Sequence, residues 1–192
     1  MAITTLNNRS INRSDTAASG QLWTATSATA SDFQAAAAGG KIGQVVTTVK
    51  TDTTSTTSTS FVDITGMTQA ITCAATSSRV LIQVVLNVGF TYDQHINFLL
   101  LNGTTGIFLG DAASNRSRSS GSPWRPHSGG HRDGFNMSIA YIDSPSSTSE
   151  VTYKLQWHVT GDTGYLNRTH NDTDTIGFGR SASSIICSEI LA

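Results

Sequence analysis

The sequence predicts an all-β protein, an antiparallel β-sandwich of jelly-roll type preceded by an extended N-terminal arm. Three observations lead there. In Arg79–Phe90 (RVLIQVVLNVGF), Val80, Ile82, Val84, Leu86, Val88 and Phe90 share one face at the period of two that a pleated strand imposes. In Val151–Thr160, the apolar series Val151, Tyr153, Leu155, Trp157, Val159 alternates with Thr152, Lys154, Gln156, His158 and Thr160. The remainder breaks into short β-rich runs, about eight to ten strands in all, with polar turns between them and no long amphipathic helix.

Residues 1 to 40 differ in kind from 41 to 192, so the chain reads as an arm followed by one sandwich domain. Ile3, Leu6, Ile11, Leu22, Trp23 and Phe33 are scattered among Asn, Ser, Thr and Ala with no sustained period, too sparse to close a core. Large apolar groups on such a segment are costly to leave in water, and these six are the candidate anchoring residues. Ser31-Asp32 with the alanines to Ala38 and then Gly39-Gly40 fits either a short capped helix or a flexible hinge.

From Ile42 the pattern is β. Gln44–Lys50 is a short strand, and the Thr/Ser-rich run Thr51–Ser60 reads as an extended edge or loop. Phe61–Thr65 is a strand that Gly66 is expected to break, resuming over Gln69–Ala74 with Ile71 and Cys73 inward. In the central run, the second face carries Leu81, Gln83, Val85, Asn87 and Gly89, half apolar and half polar. Such a face suits contact with another surface, which makes Leu81 and Val85 the candidate subunit interface. Ile96–Leu101 precedes Asn102-Gly103, a type I′ hairpin signal, with Ile107-Phe108-Leu109 as the return strand.

Ala112–Gly134 is the longest irregular segment of the domain, and loops of this length are usually functional or disordered. It concentrates Arg116, Arg118, Arg125 and Arg132 with Trp124, His127 and His131, the residue types that dominate binding hot spots. Two readings stand: packing within an assembly, or an outward recognition loop. Asn136–Ile142 restores order, Asp143-Ser144-Pro145 turns the chain, and a polar loop at His170–Thr175 precedes the closing strand Ser184–Leu191.

Composition narrows the function. Charged residues are 13% and the formal net charge is -1, which supplies no basic field for nucleic acid. Low charge with abundant Thr, Ser, Gly and Asn is the style of extracellular or virion β proteins. No Sec signal and no run of transmembrane length is found, so membrane insertion is not expected. Cys73 and Cys187 lack metal-ligand spacing and read as buried free thiols. Pro126 and Gly129-Gly130 forbid the helix that would align His127 with His131. Asp172-x-Asp174 lacks the glycine and distal glutamate of a calcium loop. There is no GxSxG elbow and no recognisable carboxylate pair. No catalytic residue, metal or cofactor is predicted.

The stretches Ile11–Gln34, Lys41–Gly66 (KIGQVVTTVKTDTTSTTSTSFVDITG) and Leu166–Ile190 (LNRTHNDTDTIGFGRSASSIICSEI) resemble virion surface proteins of tailed bacteriophages, notably marine and cyanobacterial ones. The resemblance spans nearly the whole chain and covers fibres, spikes and capsid-decorating proteins. It implies a homotrimer of β-sandwich domains, anchored by its N-terminal segment to capsid or tail proteins, assembled in the host cytoplasm and located on the virion. The chain ends after one domain, which disfavours a long tail fibre. The expected function is that of a non-enzymatic decoration protein or short fibre. The alternative is a tail-fibre tip that recognises host surface glycans through the loop around Trp124.

Overall fold

A computed structural model describes residues 21–25, 31–35, 41–91, 95–123 and 134–191. The chain divides into the units Met1–Gly39 and Gly40–Ala192. In the first, β1 (Gln21–Ala25) and β2 (Ser31–Ala35) form an antiparallel hairpin in which Trp23 stands opposite Phe33. This overturns the helix reading over Ser31–Ala35. A helix that short is marginal in water, whereas a hairpin sets two aromatic residues across from each other.

The second unit contains β3 (Ile42–Lys50), β4 (Thr54–Thr56), β5 (Val62–Thr72), β6 (Arg79–Phe90), β7 (Ile96–Asn102), β8 (Thr105–Ile107), β9 (Phe135–Asp143), β10 (Glu150–Val159), β11 (Gly164–Leu166) and β12 (Ser183–Ile190). With the short β4 and β11 set aside, the pairing nests. β3 pairs β12, β5 pairs β10, β6 pairs β9 and β7 pairs β8, all antiparallel. The pairs β12–β6 and β10–β7 then join these hairpins into the sheets β3-β12-β6-β9 and β5-β10-β7-β8. First strand with last, second with second-last, and so inward is a long hairpin wrapped over itself: the jelly roll. β4 and β11 continue the first sheet beside the C-terminal end of β6.

The period of two decides what lies between the sheets. Val80, Ile82, Val84, Leu86, Val88 and Phe90 are at most 1% exposed. They pack with Ile64, Met67 and Ile71 of β5, Phe98 and Leu100 of β7, and Tyr153, Leu155, Trp157 and Val159 of β10. Each such side chain contributes roughly 1.5–3 kcal/mol relative to exposure. Cys73 and Cys187 are buried free thiols, and burial pushes Cys187 up to about 12.

Two local details depart from expectation. Gly66 does not break its strand: β5 runs through it, with φ of 83° at the glycine and a register shift opposite Lys154 and Gln156. A glycine in the left-handed region lets a bulge absorb the extra residues while the ladder continues. The hairpin turn is displaced by one residue, because Asn102 pairs Thr105 and leaves Gly103-Thr104 as the central pair. Gly103 has φ of 59° and Thr104 is not in the positive-φ region, the type II′ pattern in place of type I′.

Polar side chains fix the loops. Asn167 is fully buried with φ of 63°; its Nδ2 donates to the carbonyls of Lys50 (2.8 Å) and Asp52 (2.9 Å), and its Oδ1 accepts from Ser183 Oγ (2.6 Å). Asp143 accepts from Tyr153 Oη (2.8 Å) and Asn102 Nδ2 (2.9 Å), which ties the end of β9 to the opposite sheet. Glu189, 3% exposed, accepts from the Ala74 amide at 2.6 Å and so links β12 to the turn before β6.

Asn167→Ala removes three hydrogen bonds, those to the Lys50 and Asp52 carbonyls and that from Ser183 Oγ, and places alanine in a left-handed conformation; urea unfolding is expected to show a loss of about 3 kcal/mol. The Ala74 amide, with further help from the Gln44 backbone, holds the Glu189 carboxyl below its ordinary value. Because the folded-state pKa is the lower one, this carboxylate adds stability above the unfolded value of 4.5, and that contribution vanishes as pH falls through the folded value. Glu189→Gln is therefore expected to flatten the acid side of the stability–pH curve, as read by thermal melts from neutral pH downward.

Candidate functional site

The two sheets present outer faces of different chemistry. On β5-β10-β7-β8 the outward positions include Lys154, whose Nζ donates to Asp63 at 2.9 Å, and Gln156, whose Nε2 donates to the same carboxylate at 2.7 Å. That pair holds the Asp63 carboxyl below its ordinary value, Lys154 contributing most. Toward β7 the same face is covered, with Asn97, Leu101 and His158 buried.

The outer face of β3-β12-β6-β9 carries no charge across its middle. Strand register sets its side chains in three rows: Val49, Ser184, Val85, Ser138; then Thr47, Ile186, Gln83, Ala140; then Val45, Ser188, Leu81, Ile142. Val45, Val49, Val85 and Ile142 are 56%, 59%, 37% and 44% exposed, while Leu81 and Ile186 are half-buried. Single exposed valines are ordinary on a protein surface, whereas this panel is contiguous, uncharged and apolar at a majority of its positions. Leu81 and Val85, expected at an interface from the central strand alone, lie on this panel in the rows either side of Gln83. Val45, Val49 and Ile142 escaped sequence reasoning. Their strands carry apolar groups on both parities, and only the strand order brings them beside β6.

The other expected site residues divide by position. Ile3, Leu6 and Ile11 lie outside the described residues; Leu22, Trp23 and Phe33 lie on β1 and β2. Of the loop cluster, Trp124, Arg125, His127, His131 and Arg132 lie outside the described residues. Arg116 and Arg118 are described and do different things. Arg118 Nε donates to the Gly110 carbonyl at 2.7 Å and holds the loop on itself. Arg116 is exposed and lines a polar groove with His95, Asn97, Asn115 and Thr160. Asp172 is bracketed by Arg180 Nη2 at 2.6 Å and Arg168 Nη1 at 3.1 Å, so its carboxylate is committed to guanidinium groups. Among the described residues no group of three or more His, Cys, Asp or Glu is placed to hold a metal.

No family model matches the sequence, and no curated protein matches it. Among solved structures the chain is similar to the infectious bursal disease virus VP2 subviral particle, at 12% identity and a TM-score of 0.43, covering 87% of this chain and 36% of that one. T=1 particles derived from infectious bursal virus give 11% identity and a TM-score of 0.42, over 87% of this chain and 41% of that one. The chain thus spans well under half the length of these proteins. The jelly-roll assignment itself rests on the nested strand pairing.

Arg180 foremost, then Arg168, holds the Asp172 carboxyl below the usual carboxylate range. Asp172→Asn is expected to speed amide exchange over residues 168–180, read by hydrogen–deuterium exchange, while the urea midpoint of the domain changes little, since the bracket is solvent-facing.

Proposed function

We propose that the chain is a non-enzymatic structural protein of a bacteriophage virion, a homotrimer whose subunits meet on the outer face of β3-β12-β6-β9. Its N-terminal segment, with Ile3, Leu6, Ile11, Leu22, Trp23 and Phe33 as anchors, fastens it to a capsid or tail protein. The observation that carries this reading is the uncharged panel around Leu81 and Val85. The sequence resemblance over Ile11–Gln34, Lys41–Gly66 and Leu166–Ile190 points to the same setting.

Magnitudes favour an assembly over an isolated pair. Four strands about 4.8 Å apart and about five residues at 3.3 Å give roughly 320 Å² of plan area per subunit, against the ~800 Å² per partner of a standard stable interface. One such face alone holds weakly. Closure into a ring, together with a separate anchor on the virion, converts weak contacts into a stable decoration through effective concentration. The resulting role is mechanical: a folded body held on the particle surface as a decoration protein or short fibre.

The second reading, a receptor-binding tip for host surface glycans, is favoured by the polar groove that Arg116 lines. Immunogold labelling of particles separates the two: many copies over the capsid accord with decoration, a few at the tail with adsorption. For assembly, the full chain is expected to sediment as a trimer. Val85→Lys with Ile142→Lys, both at exposed positions, is expected to give a folded monomer with a cooperative melt, its midpoint lowered only by the loss of association. A wild-type monomer at the highest soluble concentration would disprove the interface.

A further inference from the structure

On the outer side of the second sheet lies a groove of about 430 Å³, within the range of small-ligand sites. Its floor comes from His95 and Asn97 at the start of β7 and from Thr160 just past β10; its wall is the loop after β8, with Asn115, Arg116 and several serines. That wall is fixed. The Phe98 amide donates to the Gly121 carbonyl (2.8 Å) and the Ser120 amide to the Phe98 carbonyl (2.7 Å), so the loop runs along β7 like an added strand. Ser120 Oγ donates to the Ile107 carbonyl (3.0 Å) and accepts from the Leu100 amide (2.9 Å). A site with one wall pinned at both sides loses little entropy on binding.

Asn97 carries the argument. It is 8% exposed, its backbone sits opposite His158 inside the ladder, and its side chain faces the groove. Among the described residues no hydrogen bond satisfies its amide. Its amide opens to the groove, where it can both donate to and accept from a ligand group. Beside it the Arg116 guanidinium has no ion pair among the described residues, and no carboxylate lines the groove. The groove thus offers one cation, two amides and several hydroxyls.

We infer that this groove binds an acidic carbohydrate, with a sugar carboxylate on the Arg116 fork and ring hydroxyls on Asn97 and Asn115. Hydroxyls donate and accept together, which matches amides and alcohols; a planar carboxylate matches a guanidinium. A nucleic acid would require a cationic track, and a single arginine in a chain of net charge -1 supplies none. A phosphopeptide would require an arginine cluster. The site deepens the second reading above and is independent of the sheet face that supports assembly.

The test titrates the full chain with sialyllactose, tetragalacturonate and the neutral maltotetraose, following side-chain amide signals by NMR and affinity by calorimetry. At least one acidic oligosaccharide is expected to bind saturably, with maltotetraose at least tenfold weaker. Arg116→Gln, at an exposed position that leaves the fold intact, is expected to weaken acidic binding roughly tenfold or more, the loss of one charge-assisted hydrogen bond. Asn97→Leu is expected to weaken it further. Absence of saturable binding by both acidic ligands, equal binding of maltotetraose, or affinity unchanged by Arg116→Gln would each overturn the inference. Binding retained by the monomeric Val85→Lys, Ile142→Lys variant would support the groove whatever the fate of the trimer.

Discussion

β6 is hydrogen-bonded along both edges, to β9 on one side and to β12 and then β11 on the other, and its parity determines every neighbour's. With Val80 through Phe90 inward, the partners Ile139, Tyr141, Ile185 and Cys187 must also face inward, and Ala140, Ile142, Ser184 and Ile186 outward. A slip of one residue would drive Gln83 and Asn87 into the core and bring six large apolar groups to the surface. The burial of that one row therefore specifies the register of a whole sheet, and through the register it writes the outer face.

Polar residues finish what parity leaves open. Sheets alone do not say how their edges and loops meet, and here three buried or half-buried side chains do so. Asp143 joins β9 to Tyr153 of the opposite sheet, Glu189 holds the turn at Ala74, and Asn167 gathers the chain near Lys50, Asp52 and Ser183. Each satisfies backbone or hydroxyl groups that would otherwise be buried unpaired, which is where such networks have their largest effect. Gly89 belongs to the same region: a Cβ there would come within 2.4 Å of the Arg168 carbonyl oxygen, so the β6 ladder and the loop after β11 approach as only glycine permits.

Much of this fold could be read from residues because its signals are local. Val151–Val159 and Val80–Phe90 announce their inward faces by alternation alone, and the structure follows it, except that His158, on the outward parity, is buried against Phe61. What escaped was information carried by distant partners. Gly66 reads locally as a break, yet β10 holds the strand together across it. Asn102-Gly103 reads as the centre of a turn, yet pairing of Asn102 with Thr105 moves that centre by one residue. Ser31-Asp32 reads as a helix cap, yet the partner strand from Gln21 to Ala25 claims the segment. The site follows the same division. Leu81, Val85 and Arg116 stood out by type and position, whereas Val45, Ile142 and Asn97 gain meaning only from what lies beside them in space.

The two surfaces that remain after the core is made lie on opposite sheets. The uncharged panel belongs to β3-β12-β6-β9, and the groove opens on the outer side of β5-β10-β7-β8. In a sandwich about 10 Å thick between sheets, side chains of a single strand alternate between core and one outer face, so neither surface shares residues with the other. Were subunits to meet on the first sheet, as proposed, the second would be directed away from the contact, with the loop after β8 and its Arg116 still open to solvent. The panel and the groove share no side chains, and in a chain with only 13% charged residues the middle of the first sheet's outer face is left uncharged while Arg116 stands on the groove wall.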